Sequence, residues 1–297
     1  MIDIVMKITS IPASGSDVLA QQCIVTTGGG YNAMSAAARQ AMMVVYSGRL
    51  GIGPYSEIAR ASLERDHIAS PIDPNHDLDI GFCVVLLEDG GERTFVTSRG
   101  SEGTLRATDL AVLDVRPGDY VLLSGYNIMD GDQGDIILRW LTNLSEKVVV
   151  AFDPSNRVLD IPTAFLETAL TRADWLLCNE TEAATLTGIS APDQSALILL
   201  ARTGRRGVVV RHGKTGCTVA LPDRQLFTVD GFVTTVIDTN GAGDVHNGVF
   251  LAESASGTDV ARAARRANAA AAIAIGVLGP ASSPTKDLIT AFIASAG

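Results

Sequence analysis

The sequence predicts an α/β protein built on a mostly parallel central sheet with helices on both faces, and three observations carry that expectation. From about residue 110 onward, apolar stretches of strand length alternate with longer stretches of helical period. Two of the strand-like stretches, Val148-Val149-Val150 and Val208-Val209-Val210, are apolar without alternation, as strands covered on both faces are. Polar and glycine residues follow the successive strand ends, where ligands of open parallel sheets bind.

Composition bounds the function. The 297 residues are 46% apolar, enough for one large domain over 1–297 with a sizeable core. A formal charge of −10 argues against a nucleic-acid partner. Cys23, Cys83, Cys178 and Cys217 lie far apart, form no C-x-x-C, and suit a reducing cytoplasm. No run of 18 apolar residues and no leader-like N-terminus appears, so a cytoplasmic protein without membrane contact is expected. His67, His76, His212 and His246 show no metal-ligand spacing.

Taken in order, residues 2–8 alternate as a half-buried strand, and 18–26 read as a second strand. Three glycines, Gly28 to Gly30, precede a helix of small residues over 33–42. A strand over 44–50 and a helix over 53–66 follow. Residues 80–87 and 93–98 flank Glu88-Asp89-Gly90-Gly91, a hairpin pattern. Then come strands at 120–124, 148–152, 174–177 and 207–210, with helices at 133–144, 163–172, 180–186 and 195–203. A strand at 233–237 leads into Asp238-Thr239-Asn240-Gly241-Ala242-Gly243-Asp244, which opens a last helical stretch carrying Val245, Val249 and Ala252.

That last loop carries the chemistry. The first amides of a helix lack internal partners, and glycines let a phosphate approach them. Asp244 would repel such an anion, unless it serves as the base that takes a proton from an attacking hydroxyl. A helix N-terminus with a capping Asp is the plain alternative. The string Asp-Thr-x-Gly-Ala-Gly-Asp resembles the C-terminal signature of the ribokinase, or phosphofructokinase-B type, sugar kinases. Gly28, Gly29 and Asn32 resemble that family's N-terminal sugar-binding signature, with Thr27 where it has glycine. Gly91-Glu92-Arg93 matches its Gly-Glu-Arg, while Gly100-Ser101-Glu102 departs from its Gly-Ala-Asn.

The resemblance runs from Asp3 to Pro284 and implies a ribokinase-like three-layer α/β/α sandwich with a small β-sheet lid, its strands within 3–26 and 81–98. It implies transfer of the γ-phosphoryl of ATP to a primary hydroxyl of a sugar. Asp244 would be the base, the amides of Gly241, Ala242 and Gly243 the anion hole, and Asp3, Gly28, Gly29 and Asn32 the sugar contacts. Asn179, Gly213, Gly216 and Asn268 would meet the nucleotide, and Glu182 would hold Mg²⁺ through water. Asp238, Thr239, Gly279 and Ser283 would surround a monovalent cation such as K⁺. Relatives carry an apolar strand ahead of the residue matching Asp3, so a longer natural chain is expected, as is a homodimer through the lid. Two alternatives stay open. One is a nucleoside or phosphosugar kinase of the same fold, with Arg99 or Arg157 on a substrate phosphate. The other is a catalytically silent nucleotide- or sugar-binding regulator.

Overall fold

The computed structural model describes residues 1–203, 205–279 and 282–296. The early chain builds a small sheet from β1 (Ile2–Ile8), β2 (Gln22–Thr27), β3 (Phe82–Glu88) and β4 (Arg93–Ser98), in the order β2-β1-β3-β4. β1 runs antiparallel to β2 and parallel to β3, so Asp3 sits between Thr26 and Cys83. The period-2 pattern of β3 buries Cys83, Val85 and Leu87 on one face, where they join Val5, Met1 and Leu278. Between the hairpins lie α1 (Tyr31–Ala38) and α2 (Pro54–Arg65), and α3 (Ala107–Leu110) follows β4.

The main sheet contains β5 (Tyr120–Ser124), β6 (Val149–Asp153), β7 (Trp175–Asn179), β8 (Gly207–Arg211), β9 (Cys217–Ala220) and β10 (Leu226–Val229). Its order is β10-β9-β8-β7-β6-β5, parallel from β5 to β8 and antiparallel at the β9–β10 edge. α4 (Gly131–Asn143), α5 (Thr163–Arg172), α6 (Glu180–Thr187) and α7 (Pro192–Thr203) supply one face. There Val150, Phe152, Leu176, Cys178, Val208 and Val210 pack with Leu138, Leu141, Leu170 and Leu199. The other face receives α8 (Ala242–Ala255), α9 (Val260–Ala274) and α10 (Lys286–Ala296). There Val149, Ala151, Leu177 and Val209 meet Val249, Phe250, Ala267 and Ile289. Successive residues of one strand thus enter opposite cores, which is why these strands are apolar without alternation.

Small residues bring α1 against α8. A Cβ on Gly248 would lie 2.2 Å from the Ala33 carbonyl oxygen and 2.8 Å from the Ala36 Cβ. This contact places the first turn of α1, with Asn32, beside the first turn of α8, with Asp244.

Four expectations need correction. Residues 18–21 are not strand: Leu19 is 88% exposed, and the ladder to β1 begins where Gln21 N–H reaches the Lys7 carbonyl. The first helix starts at Tyr31 and ends at Ala38 rather than running from 33 to 42. The stretch 44–50 makes one bridge, Val45 to Ala69, and no extended ladder. Residues 233–237 are not strand either, because the Ile237 and Asp238 amides both donate to the Ile275 carbonyl at the end of α9. The edge strands β9 and β10 have no counterpart in the sequence reading. No helix among the described residues is long and apolar enough to cross a membrane.

Candidate active site

The carboxyl ends of β6, β7 and β8 and the N-terminus of α8 converge. Gly241 adopts φ +77° as the N-cap of α8, a left-handed geometry that suits glycine. The Ala242 N–H donates back to the Thr239 carbonyl at 3.3 Å, so the turn leaves the amides of Gly241 and Gly243 for an anion. Asp244 stands in the first turn of the helix. Burial, then the neighbouring Asp153 carboxylate, raise its pKa to about 7, against opposing pulls from Asn32 and Arg211. A carboxylate near 7 is matched to taking a proton at neutral pH.

The other side of the site is built from two segments brought together by the small sheet. Asn32 Nδ2 donates to Asp244 Oδ2 at 3.4 Å, and the buried Asn32 Oδ1 has no protein partner. Asp3, 6% exposed, accepts from Asn240 Nδ2 at 3.3 Å, and burial raises its pKa to about 6. At neutral pH it remains mostly ionised and acceptor-only, the state that receives hydroxyl protons. Gly28 makes this packing possible, because a Cβ there would sit 2.2 Å from an Asp3 carboxylate oxygen. Gly29 turns the chain at φ +58° into α1. Asp3, Gly28, Asn32 and Asp244 are thus brought to one place.

Asn179 and Glu182 form a reciprocal cap of α6. Asn179 Oδ1 accepts from the Glu182 amide, and Glu182 Oε2 from the Asn179 amide, each at 2.8 Å. Glu182 also lies 3.7 Å from the Arg211 guanidinium, which is 3.4 Å from Asp153. Asn247 donates to Asp153 at 2.5 Å and accepts from Arg211. Burial, then Asp153, raise the Glu182 pKa; burial opposes the Arg211 charge, but Asp153 and Glu182 outweigh it and raise its pKa. Two carboxylates thus share one guanidinium. The carboxylate oxygens of Glu182 and Asp153 are the donor type that Mg²⁺ takes through its waters, since that ion keeps several waters and arrives with phosphates. No direct cage of three His, Cys, Asp or Glu residues exists among the described residues.

Gly213 (φ +60°) and Gly216 (φ +101°) close a tight loop after β8, and a Cβ on Gly216 would fall 2.0 Å from the Val229 carbonyl. That carbonyl and the one of Asp230 accept from Asn268 Nδ2 at 3.0 and 3.1 Å, while His246 Nε2 contacts Asn268 Oδ1 at 3.1 Å. Asn268 is therefore buried and ties α9 to the wall behind the glycine loop, and His246 fixes its orientation. Burial lowers the His246 pKa to about 3, so the ring is neutral.

The expected monovalent-cation set looks different. Asp238 is 2% exposed, and its Oδ1 meets Arg93 at 3.2 Å and the Asn240 amide at 2.9 Å, while its Oδ2 accepts from the Gly279 amide at 3.1 Å. The Ser283 hydroxyl donates to the Asn32 carbonyl at 3.2 Å, and Thr239 is exposed. Pro280 and Ala281 of that loop lie outside the described residues. Arg99 and Arg157, the alternative phosphate contacts, sit in exposed pairs with Asp130 (3.2 Å) and Asp160 (2.6 Å). Sequence reasoning assigned no role to Asp153, Arg211, Asn240, Asn247 or Arg93. A polar residue directly after an apolar strand was the available clue for the first two.

Comparison with known proteins bears on this geometry. The sequence model of the pfkB family carbohydrate kinases matches residues 1–287. An uncharacterized sugar kinase of Escherichia coli K12, YegV, is 30% identical over 303 residues, covering 97% of this chain and 89% of its own. An ATP-dependent ribose-1-phosphate kinase of Halopiger xanaduensis is 28% identical, covering 98% and 94%. The crystal structure of a putative ribokinase II from E. coli in complex with ATP and Mg²⁺ superposes with a TM-score of 0.83 at 22% identity, covering 99% and 97%. The fold is therefore ribokinase-like.

Proposed function

The chain belongs to the pfkB family of carbohydrate kinases and is an ATP-dependent carbohydrate kinase, and from that premise we propose that it phosphorylates a primary hydroxyl of an unphosphorylated sugar or nucleoside, with Asp244 as base. The observation that carries this reading is the convergence of Asp3 and Asn32 on the loop of Asp244, through Asn240 and directly. Asp3 and Asn32 would hold acceptor hydroxyls and orient the reacting one toward Asp244, which takes its proton. The amides of Gly241 and Gly243, with Ala242 closing the turn, would stabilise charge on the transferring phosphoryl group. Asn179, Gly213 and Gly216 would border the nucleotide. Mg²⁺, when bound with ATP, supplies charge neutralisation at the phosphates, with Glu182 and Asp153 holding its waters. Residues of the small sheet exclude water from the acceptor. Exposed Val25 and Val96, on the face of that sheet opposite Cys83, Val85 and Leu87, support a homodimer through it.

A phosphosugar acceptor is the second reading, favoured by the likeness to a ribose-1-phosphate kinase. The paired state of Arg99 and Arg157 and the charge of Asp3 weigh against it. The test is ADP release with ribose, fructose, a nucleoside, ribose 1-phosphate and fructose 6-phosphate. Preference for a neutral acceptor is the expected result, and preference for a phosphosugar overturns it. ATP binding without turnover of any acceptor points to a silent regulator.

A further inference from the structure

The carboxylate of Asp238 immediately precedes the anion-hole loop, and it is buried. A buried carboxylate needs a cationic partner or full hydrogen bonding. Here both oxygens are engaged: Oδ1 by the Asn240 amide and Arg93, Oδ2 by the Gly279 amide. The partner charge comes from β4 of the small sheet, whose Arg93 side chain is 19% exposed and has its Nε buried without a partner. Two other expected ligands already serve protein donors, the Thr239 carbonyl accepting from the Ala242 amide and the Ser283 carbonyl from the Arg39 guanidinium. These residues do not fit a potassium ion. A cation beside Asp238 would sit against a guanidinium and find no free carboxylate oxygen.

We propose that Arg93 is a resident cation for the Asp238 loop: a positioning residue that orders Asp238-Thr239-Asn240-Gly241 and makes this kinase independent of monovalent cations. The inference rests on the phosphoryl-transfer site proposed above. It also links the lid to the anion hole, because the charge that holds the loop is carried by a lid strand. Arg93 acts through Asp238 and touches no reacting atom.

The experiment compares wild type, Arg93→Met and Arg93→Lys in potassium chloride and in tetramethylammonium chloride at equal ionic strength. Two readouts are taken, initial rate on the best acceptor and melting temperature with a non-hydrolysable ATP analogue. The melting readout needs no turnover, so it stands even where the acceptor assignment fails. Wild type is expected to give the same values in both salts. Arg93→Met, which keeps the apolar stem and removes the charge, is expected to lose about tenfold or more in rate without potassium. Potassium should restore much of that loss and raise its melting temperature. Arg93→Lys retains a charge and should respond less. Clear activation of wild type by potassium overturns the proposal, and so does an Arg93→Met protein that behaves alike in both salts.

Discussion

Asn32 Nδ2 lies 3.4 Å from Asp244 Oδ2 although 212 residues separate the two in sequence. One residue opens α1 and the other opens α8, so the contact joins the two helix starts on which the proposed acceptor and phosphoryl sides of the site are built. It also keeps a hydrogen-bond donor on the proposed base, which would pass to the acceptor hydroxyl when substrate arrives.

Asp244→Asn is expected to lower kcat by ~10²–10⁴ while ATP affinity stays within a few-fold of wild type, the scale of a lost general base. Steady-state rates combined with calorimetric titration of an ATP analogue separate the two effects. Near-full kcat in this variant removes Asp244 from the mechanism.

The raised pKa of Asp244 sets two pH dependences. Protonated Asp244 cannot accept a proton, so kcat/KM should fall as pH drops below about 7. Stability moves the other way. A carboxylate whose folded pKa is raised contributes stability that is present below its unfolded value and lost as pH rises through about 7. Asp244→Asn should therefore melt higher than wild type at alkaline pH, by ~2–4 °C for each kcal/mol released, with no gain in acid. Equal melting temperatures at both pH values would contradict the burial argument.

Gly28→Ala should act on the acceptor alone. The added methyl collides with the Asp3 carboxylate, so acceptor KM is expected to rise about tenfold or more while KM for ATP is unchanged. A variant with wild-type acceptor KM would show that Asp3 does not hold substrate.

Arg211→Met leaves Asp153 and Glu182 without the guanidinium they share, and breaking such a buried pair typically destabilises by ~3–5 kcal/mol. Denaturant unfolding reads the loss. Adding Asp153→Asn to Arg211→Met should recover part of it, because one of the stranded charges is then gone. No recovery would mean that the loss comes from packing around the arginine stem.

Association through the small sheet is expected at micromolar concentration, read by light scattering. Val96→Asp, on the exposed face of β4, should shift the protein to monomer without unfolding it. A wild-type monomer at these concentrations removes the dimer.

Much of this was legible because the relevant patterns are local. Residues 163–172 and 120–124 coincide with α5 and β5, since period and punctuation agree there. The Asp238 to Asp244 string carries its geometry within seven residues, with Gly241 at the left-handed position. Where partners are distant, the sequence was silent. Arg93, Asp238 and Gly279 meet only through the folding of the small sheet onto the loop. Asn240 occupies the variable place of its motif, so nothing local marked its bond to Asp3. Residues 233–237 have the composition of a strand but find their backbone partner at a helix end, a competition that composition does not encode.

The absence of a side chain at Gly248 has a consequence for how this enzyme can change. Because α1 and α8 meet there at backbone distance, the spacing between Asn32 and Asp244 cannot be adjusted by repacking side chains. With that spacing fixed, a shift in acceptor preference is open through β1 to β4 and their connecting turns, where Asp3 and the lid side chains sit on a separate sheet. New selectivity can thus be sought by varying the lid around Asp3, with Arg93 kept because it also holds the Asp238 loop and with the α1–α8 pair left as it stands.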